Sequence, residues 1–394
     1  MPADRAAAAS FDYAREPFLV VFNEESAIKE TYAGEVGTIV LEGHRLKPKG
    51  IESKTAIVFM HPIGSTQYLP LVGALAKSGL HVISCNSRYP RNDTALIMEK
   101  VALDLAACIR HARARFGYER IVLGGWSGGG SLSLFYQSQA ERPTVTSTPA
   151  GEPPDLTRAT LPRADAIMLL AAHTSRAKTL TEWLDPSVTD ERDSSKRDPA
   201  LNLYCPEAPQ PPYDADFLAR YRAAQVARNR RITAWAQELL ASAEKRGDHA
   251  FEHCFVVHGT MADPAWLDPL IEPNGRKPNW CFMGVPRMVN DAPAGLARFT
   301  TLRSWLSQWS HDLSNADGPA SAARISIPVL VLENSADDGC LPHHGRRFLA
   351  AIARADKEHR VIQGANHYYF GQPDKAAEAV GVVRDWLVRR KLVA

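Results

Sequence analysis

The stretch RIVLGGWSGGGSLSLF, residues 120–135, places five glycines around Ser127. An apolar, β-rich run precedes this serine, and a run typical of a helix follows it. A chain that passes from strand to helix within so few residues must turn sharply. Such a turn strains its central residue and leaves no room for side chains at Gly125 and Gly129. The pattern therefore predicts a strand, a strained turn and a helix, with the Ser127 hydroxyl projecting above the sheet.

Apolar runs alternate with helical patterns along the rest of the chain. The predicted strands are FLVVF and GTIVL, an antiparallel pair within residues 17–41, and the runs at 55–62, 81–85, 164–173, 327–334 and 359–364. Between them, residues such as Ile97, Val101 and Leu105 recur every three or four positions, which is typical of a helix that packs on a sheet. Apolar strands that alternate with helices predict an α/β fold, with a mostly parallel sheet covered by helices on both faces.

Functional side chains of such sheets gather just beyond the carboxyl ends of the strands. The residues in these places are 61–65, 125–129, His173, Asp337, Asp338, Asn366 and His367. A serine hydroxyl is a weak nucleophile and needs a base, usually a histidine that a third group orients. Ser127, an aspartate and His367 supply these three groups at one rim of the predicted sheet.

Four motifs resemble those of the α/β-hydrolase fold family. They are GWSGG (125–129) as nucleophile elbow, FMHPIGS (59–65) as oxyanion loop, PVLVLENSADD (328–338) as acid strand and GANH (364–367) as histidine loop. The resemblance implies a catalytic triad of Ser127, Asp337 and His367 and hydrolysis through an acyl-enzyme. Asp337 stands nine residues after Pro328, as in the family, whereas Asp338 fits the usual gap to Pro342. We favour Asp337 because the strand fixes the position of the acid more rigidly than the loop does.

The oxyanion loop departs from the family because Pro62 stands where glycine is usual. Proline has no N–H to donate. The resemblance therefore implies an oxyanion hole made by the N–H groups of Ile63 and Gly128, with Gly64 as the alternative to Ile63. A histidine that opens such a loop is usually structural, and we expect this of His61. His173 either lines the pocket or simply ends its strand.

Residues 174–320 separate two core strands and are predicted to form a largely helical cap over the site. The chain is thus divided into core residues 1–173, cap residues 174–320 and core residues 321–394; a second independent domain is the alternative. A helix is predicted at about 214–244. We expect its arginines to form a solvated face, with contact to an anionic substrate as the alternative: Arg220, Arg222, Arg228, Arg230 and Arg231. Six of the eight tryptophans lie in this segment, where they either line a pocket or form the core of the cap: Trp183, Trp235, Trp266, Trp280, Trp305 and Trp309.

Net charge and cysteine content indicate which partners and cofactors the protein is not expected to bind. A net charge of +2 gives no reason to expect nucleic acid or membranes as partners. The six cysteines form no C-x-x-C pair, so we expect reduced thiols and neither a metal ion nor another cofactor. The first 18 residues have no apolar core typical of a signal peptide, which predicts a cytoplasmic location. A homodimer is left open.

These observations together predict a serine hydrolase that cleaves a carboxylic ester or thioester of a small, apolar or aromatic substrate. The same triad also serves hydrolysis of amides or of C–C bonds. A non-catalytic ligand receptor with the same fold is a further alternative, and covalent labelling by a fluorophosphonate would separate it from an enzyme.

Overall fold

The computed structural model describes residues 10–31, 33–293, 295–296, 298–353 and 356–394; residues 1–9 of the predicted core lie outside this range. Its strands are β1 (Tyr13–Asn23), β2 (Thr38–Pro48), β3 (Thr55–Phe59), β4 (Val82–Cys85), β5 (Arg120–Ser127), β6 (Ala166–Ala172), β7 (Cys254–Val256), β8 (Phe299–Thr301), β9 (Val329–Asn334) and β10 (Lys357–Ile362). Within the described residues, eight strands form one sheet in the order β1-β2-β4-β3-β5-β6-β9-β10, and β7 pairs with β8.

The helices connect and cover these strands. They are α1 (Pro70–Lys77), α2 (Met98–Phe116), α3 (Gly128–Glu141), α4 (Arg176–Trp183), α5 (Ala215–Lys245), α6 (Pro264–Leu267), α7 (Pro286–Asn290), α8 (Leu302–Ser304), α9 (Gly318–Ala322), α10 (Pro342–Ala351) and α11 (Pro373–Arg389). Within this part of the chain, none of the helices combines the length and apolar composition that crossing a bilayer requires.

Only β2 runs against the other strands of the large sheet. It pairs antiparallel with both β1 and β4, whereas β3, β4, β5, β6, β9 and β10 pair in parallel. The carboxyl ends of these parallel strands consequently lie at one rim. The predicted antiparallel leading pair and mostly parallel sheet are both confirmed.

Each face of the sheet carries its own apolar core. Successive side chains of a strand point to opposite faces, and on β3 Val58 joins one cluster while Ile57 and Phe59 join the other. Helices α2, α3 and α10 pack in the first cluster, and α1 and α11 pack in the second. Burial on both faces explains why these strands read as continuous apolar runs, and it confirms the predicted helical cover.

Residues 174–320 run from α4 to α9 and contain the β7–β8 pair. The predicted helix at 214–244 is confirmed as α5. Trp183, Trp266, Trp305 and Trp309 are buried together in an apolar cluster of this segment. Near the predicted boundary at residue 320, Ala316 and Ala322 already pack in the first core cluster of the large sheet.

Candidate active site

Ser127 occupies the turn between β5 and α3. Its backbone has φ 52° and ψ −122°, outside the regions that residues with a side chain normally adopt. The pairing of β5 with β6 also shifts register between Trp126 and Ser127. A strained residue between a central parallel strand and its helix, in a sheet of that order, has the geometry of the turn that is called a nucleophile elbow in the α/β-hydrolase fold. The chain has the α/β-hydrolase fold.

The glycines of this elbow give the backbone room that a side chain would occupy. A Cβ at Gly125 would lie 2.6 Å from the Cα of Gly130, and a Cβ at Gly129 would lie 2.6 Å from the carbonyl oxygen of Met60. Both obstacles are backbone, which cannot move aside as a flexible side chain can. The α/β-hydrolase turn in this chain therefore depends on glycine at both positions, as its sequence predicts.

The cost of a side chain in the elbow can be measured directly. Gly129→Ala should lower the free energy of unfolding by about 1–3 kcal/mol, as overpacking does. Gly381→Ala is the control, since a Cβ there meets nothing within 4 Å. It lies in α11, where alanine should instead stabilise by about 0.5–1 kcal/mol. Denaturant unfolding of both variants tests this, and an unchanged Gly129→Ala would contradict the close approach to Met60.

His367 and Asp337 meet beyond the ends of β10 and β9. His367 Nδ1 lies 2.9 Å from Oδ2 and 3.0 Å from Oδ1 of Asp337. Both side chains are buried, and Asp337 Oδ1 also accepts the N–H groups of Gly339 and Cys340 at 2.7 Å each. These bonds hold the carboxylate in place. The second ring nitrogen of His367, Nε2, takes no part in them. The structure thus pairs His367 with Asp337, the aspartate that the strand register favoured.

Opposing influences act on the pKa of His367. Burial lowers it, but the charge of Asp337 and the hydrogen bond to it raise it, and the net pKa lies above the ordinary 6.5. Asp338 differs, because burial and the neighbouring charge of Asp337 raise the pKa of its carboxyl to about 6.

Cys340 lies close to the His367–Asp337 pair. Its sulfur lies within 4.8 Å of a ring nitrogen of His367 and of a carboxylate oxygen of Asp337. Burial and the charge of Asp337 raise the pKa of its thiol well above 9, although a hydrogen bond with the Ser127 side chain lowers it. The thiol is therefore protonated at neutral pH. Sequence reasoning missed this contact, because a cysteine three residues after the acid is no signal by itself.

The oxyanion loop is held by His61. The N–H groups of Ile63 and Gly64 both donate to His61 Nδ1, at 3.1 and 2.7 Å. The expected structural role of His61 is therefore present. The amide of Ile63, which the sequence assigns to the oxyanion hole, donates within the loop in this structure.

Gly128 faces two imidazoles. A Cβ on Gly128 would lie 2.8 Å from Nε2 of His61 and 3.1 Å from Nε2 of His173. As the first residue of α3, Gly128 has an N–H with no carbonyl acceptor inside its own helix. His173 follows β6, and its side chain is therefore close to Gly128 and to the turn that holds Ser127.

Aromatic rings surround His367. The ring centroids of Trp126, Tyr368 and Phe282 lie 4.9, 4.9 and 6.0 Å from that of His367. Phe282 comes from the segment 174–320 and packs against Trp183 at 5.1 Å. We call Trp126, Tyr368 and Phe282 the aromatic wall.

The same segment is hydrogen-bonded to the backbone of Asp337 and Asp338, which we call the acid loop. Trp266 Nε1 donates to the carbonyl of Asp338 at 2.7 Å, and Asn274 Nδ2 donates to the carbonyl of Asp337 at 2.8 Å. The tryptophans of the segment therefore have different surroundings. Trp305 and Trp309 stack on each other in its core at 5.0 Å, whereas Trp266 contacts the acid loop.

Two groups of side chains in the described residues could offer ligands to a metal ion. They are Glu182, His343 and His344, and Asp337, Cys340 and His367. In the first group Arg347 already pairs with the carboxylate of Glu182 at 3.0 Å. In the second the carboxylate accepts hydrogen bonds from the loop and from His367. Both carboxylates are engaged by donors of the chain itself.

No protein-family model and no curated protein match this sequence. Its structure is similar to that of the siderophore hydrolase EstB from Aspergillus fumigatus, with 14% identity, a TM-score of 0.48 and coverage of 90% of this chain and 95% of that chain. It is also similar to the esterase domain of a Rhodothermus marinus protein, with 14% identity, a TM-score of 0.46 and coverage of 95% and 98%. A monoacylglycerol lipase from Paleococcus ferrophilus shows 16% identity, a TM-score of 0.45 and coverage of 89% and 98%.

Proposed function

We propose that this protein is a serine hydrolase that cleaves a carboxylic ester or thioester through an acyl-enzyme. The observation that carries the proposal is the buried His367–Asp337 pair at the same rim of the sheet as a serine in a strained elbow. Trp126 Nε1 donates to the carbonyl of His367 at 3.2 Å and so ties the histidine loop to the residue before Ser127. A nucleophile, a base and a group that orients the base are the parts that acyl transfer requires.

The reaction would proceed in two halves. Ser127 Oγ attacks the carbonyl carbon while His367 Nε2 takes the hydroxyl proton, and the electron pair of the C=O bond moves to its oxygen. When this intermediate collapses, the C=O bond re-forms, the bond to the leaving group breaks, and His367 returns the proton to the leaving group. Water then repeats the sequence on the acyl-enzyme and releases the acid and Ser127. Asp337 stays ionised and stabilises the imidazolium.

An oxyanion hole must stabilise the negative charge that develops on the carbonyl oxygen. The N–H of Gly128 is one donor that we assign, because it opens α3 next to the nucleophile. The amide of Ile63 could serve only if it left His61 Nδ1, which it contacts in this structure.

The substrate class follows from the cover of the site. We propose that residues 174–320 act as a cap, since they bond to the acid loop and supply Phe282 to the aromatic wall. His367 is only 2% exposed, and the rings of the aromatic wall pack around it. These features favour a small, apolar or aromatic ester over a long polymer.

A series of p-nitrophenyl esters tests both the mechanism and the substrate class. An acyl-enzyme should release a burst of p-nitrophenol stoichiometric with protein wherever deacylation is slower than acylation. The value of kcat/KM should rise from acetyl to larger apolar acyl groups. A flat or falling profile would refute the proposed preference for apolar acyl groups. A protein with no turnover whose Ser127 a fluorophosphonate does not label would be a receptor instead of an enzyme.

A further inference from the structure

The oxyanion hole lacks one donor if only backbone amides are counted. Pro62 has no N–H, and the amides of Ile63 and Gly64 both donate to His61 Nδ1. One amide donor, that of Gly128, is left for the developing charge. Oxyanion holes usually present more than one donor, and removal of one can lower kcat by about 10²–10³-fold.

The two loop amides also fix the protonation of His61. A nitrogen that accepts hydrogen bonds carries no proton, so in neutral His61 the hydrogen must be on Nε2. Burial, together with the positive charge of nearby Arg176, lowers the pKa of His61 well below 6.5. The imidazole is therefore neutral at physiological pH, and its Nε2–H is a donor of fixed position.

The Nε2–H group of His61 lies next to the nucleophile elbow. His61 Nε2 lies 2.8 Å from the place where a Cβ of Gly128 would be, on the residue that follows Ser127. Among the described residues, no hydrogen-bond acceptor is found for it, although Nδ1 has two partners. Glycine at position 128 leaves this space to the imidazole.

We propose that His61 Nε2–H is the second donor of the oxyanion hole, in place of the amide of Ile63. The proposal rests on the serine hydrolase mechanism above and makes His61 a catalytic residue as well as the clamp of its loop. His173 Nε2 lies at the same place, but its Nδ1 is buried without a hydrogen-bond partner among the described residues, so no bond there fixes its tautomer. The assignment is therefore made to His61.

Two substitutions separate the two roles of His61. In His61→Asn, the side-chain oxygen can replace Nδ1 as the acceptor for the loop amides, but the donor at the Nε2 position is lost. In His61→Gln, the side-chain nitrogen can replace Nε2 as the donor, but the acceptor at Nδ1 is lost. For a catalytic donor, His61→Asn should lower kcat for p-nitrophenyl esters by about 10²–10³-fold with little change in KM. His61→Gln should keep more of kcat than His61→Asn does.

A structural role alone predicts the opposite order, with wild-type kcat in His61→Asn and a larger loss in His61→Gln, and that result would overturn the proposal. His81→Gln is the matched control and should keep wild-type kcat. His81 is also buried, and it hydrogen-bonds Tyr118 and the carbonyl of Ile51. Thermal unfolding of each variant shows whether it is folded.

A measurement on the unaltered protein covers the case in which the variants do not fold. A trifluoromethyl ketone forms a tetrahedral adduct with the serine and places an oxyanion in the hole. The Nε2–H proton resonance of His61 should move downfield on adduct formation, and an adduct that leaves it unchanged would contradict the proposal. A protein that forms no adduct and no burst would instead refute the hydrolase mechanism, so the two failures are distinguishable.

Discussion

Ser127→Ala should leave a folded protein whose ester turnover is lowered by about 10⁴–10⁶-fold, because the members of a triad act as a unit. The substitution removes the attacking oxygen but no packing of consequence, since Ser127 is partly exposed at the end of β5. Initial rates with the best p-nitrophenyl ester, together with labelling by a fluorophosphonate, measure the effect.

Ser138→Ala provides the control for this variant. Ser138 is a buried serine of α3 whose hydroxyl donates to the carbonyl of Phe135 at 2.8 Å, away from the elbow. It should keep wild-type turnover and labelling. If Ser127→Ala retained even a tenth of the activity, Ser127 would not be the nucleophile.

Asp337→Asn should lower kcat by about 10⁴-fold, because an amide cannot hold the imidazole in the tautomer that accepts the serine proton. The adjacent Asp338→Asn is the matched comparison. The carbonyl of Asp338 accepts from Trp266, whereas His367 Nδ1 donates to the carboxylate of Asp337. We expect only a small change in kcat there. A large loss at Asp338 with a small one at Asp337 would reverse the assignment.

The pH profile of the same variants adds an independent readout. A general base works in its neutral form, so kcat/KM should rise as the pH rises through the pKa of His367, which lies above 6.5. Loss of the Asp337 charge leaves burial as the main influence, and burial lowers this pKa. The acid limb of Asp337→Asn should therefore move to lower pH. An unmoved limb would show that another group titrates.

The local features of this fold could be predicted from the sequence, because the spacing of glycine and apolar residues over a few positions depends on the local backbone geometry. The glycines around Ser127 indicate a turn with no room for side chains, and the structure places backbone atoms next to where the Cβ atoms of Gly125 and Gly129 would be. Apolar runs mark strands buried on both faces. The carboxyl ends of parallel strands lie at the same rim of a sheet. The sequence alone therefore also predicted that Ser127, Asp337 and His367 would lie at one rim.

The tertiary structure decided which of these side chains touch. The charges of α5 suggested a solvated face, but that prediction is wrong for Arg228, which is 1% exposed and bonds to Glu191 and the carbonyl of Asp185. Contacts between residues far apart in the chain depend on how helices and loops pack. The periodicity of apolar and charged residues along one helix does not predict them.

The same limit applies at the site. The sequence identified the loop that contains Pro62 and Ile63, yet only the folded loop shows that His61 Nδ1 takes the Ile63 amide and leaves Nε2 at Gly128. A hydrogen bond is decided by distances of a few tenths of an ångström and by direction. The sequence therefore determined the turn, the sheet and the order of the candidate triad, and the tertiary structure decided how the donors and acceptors pair around them.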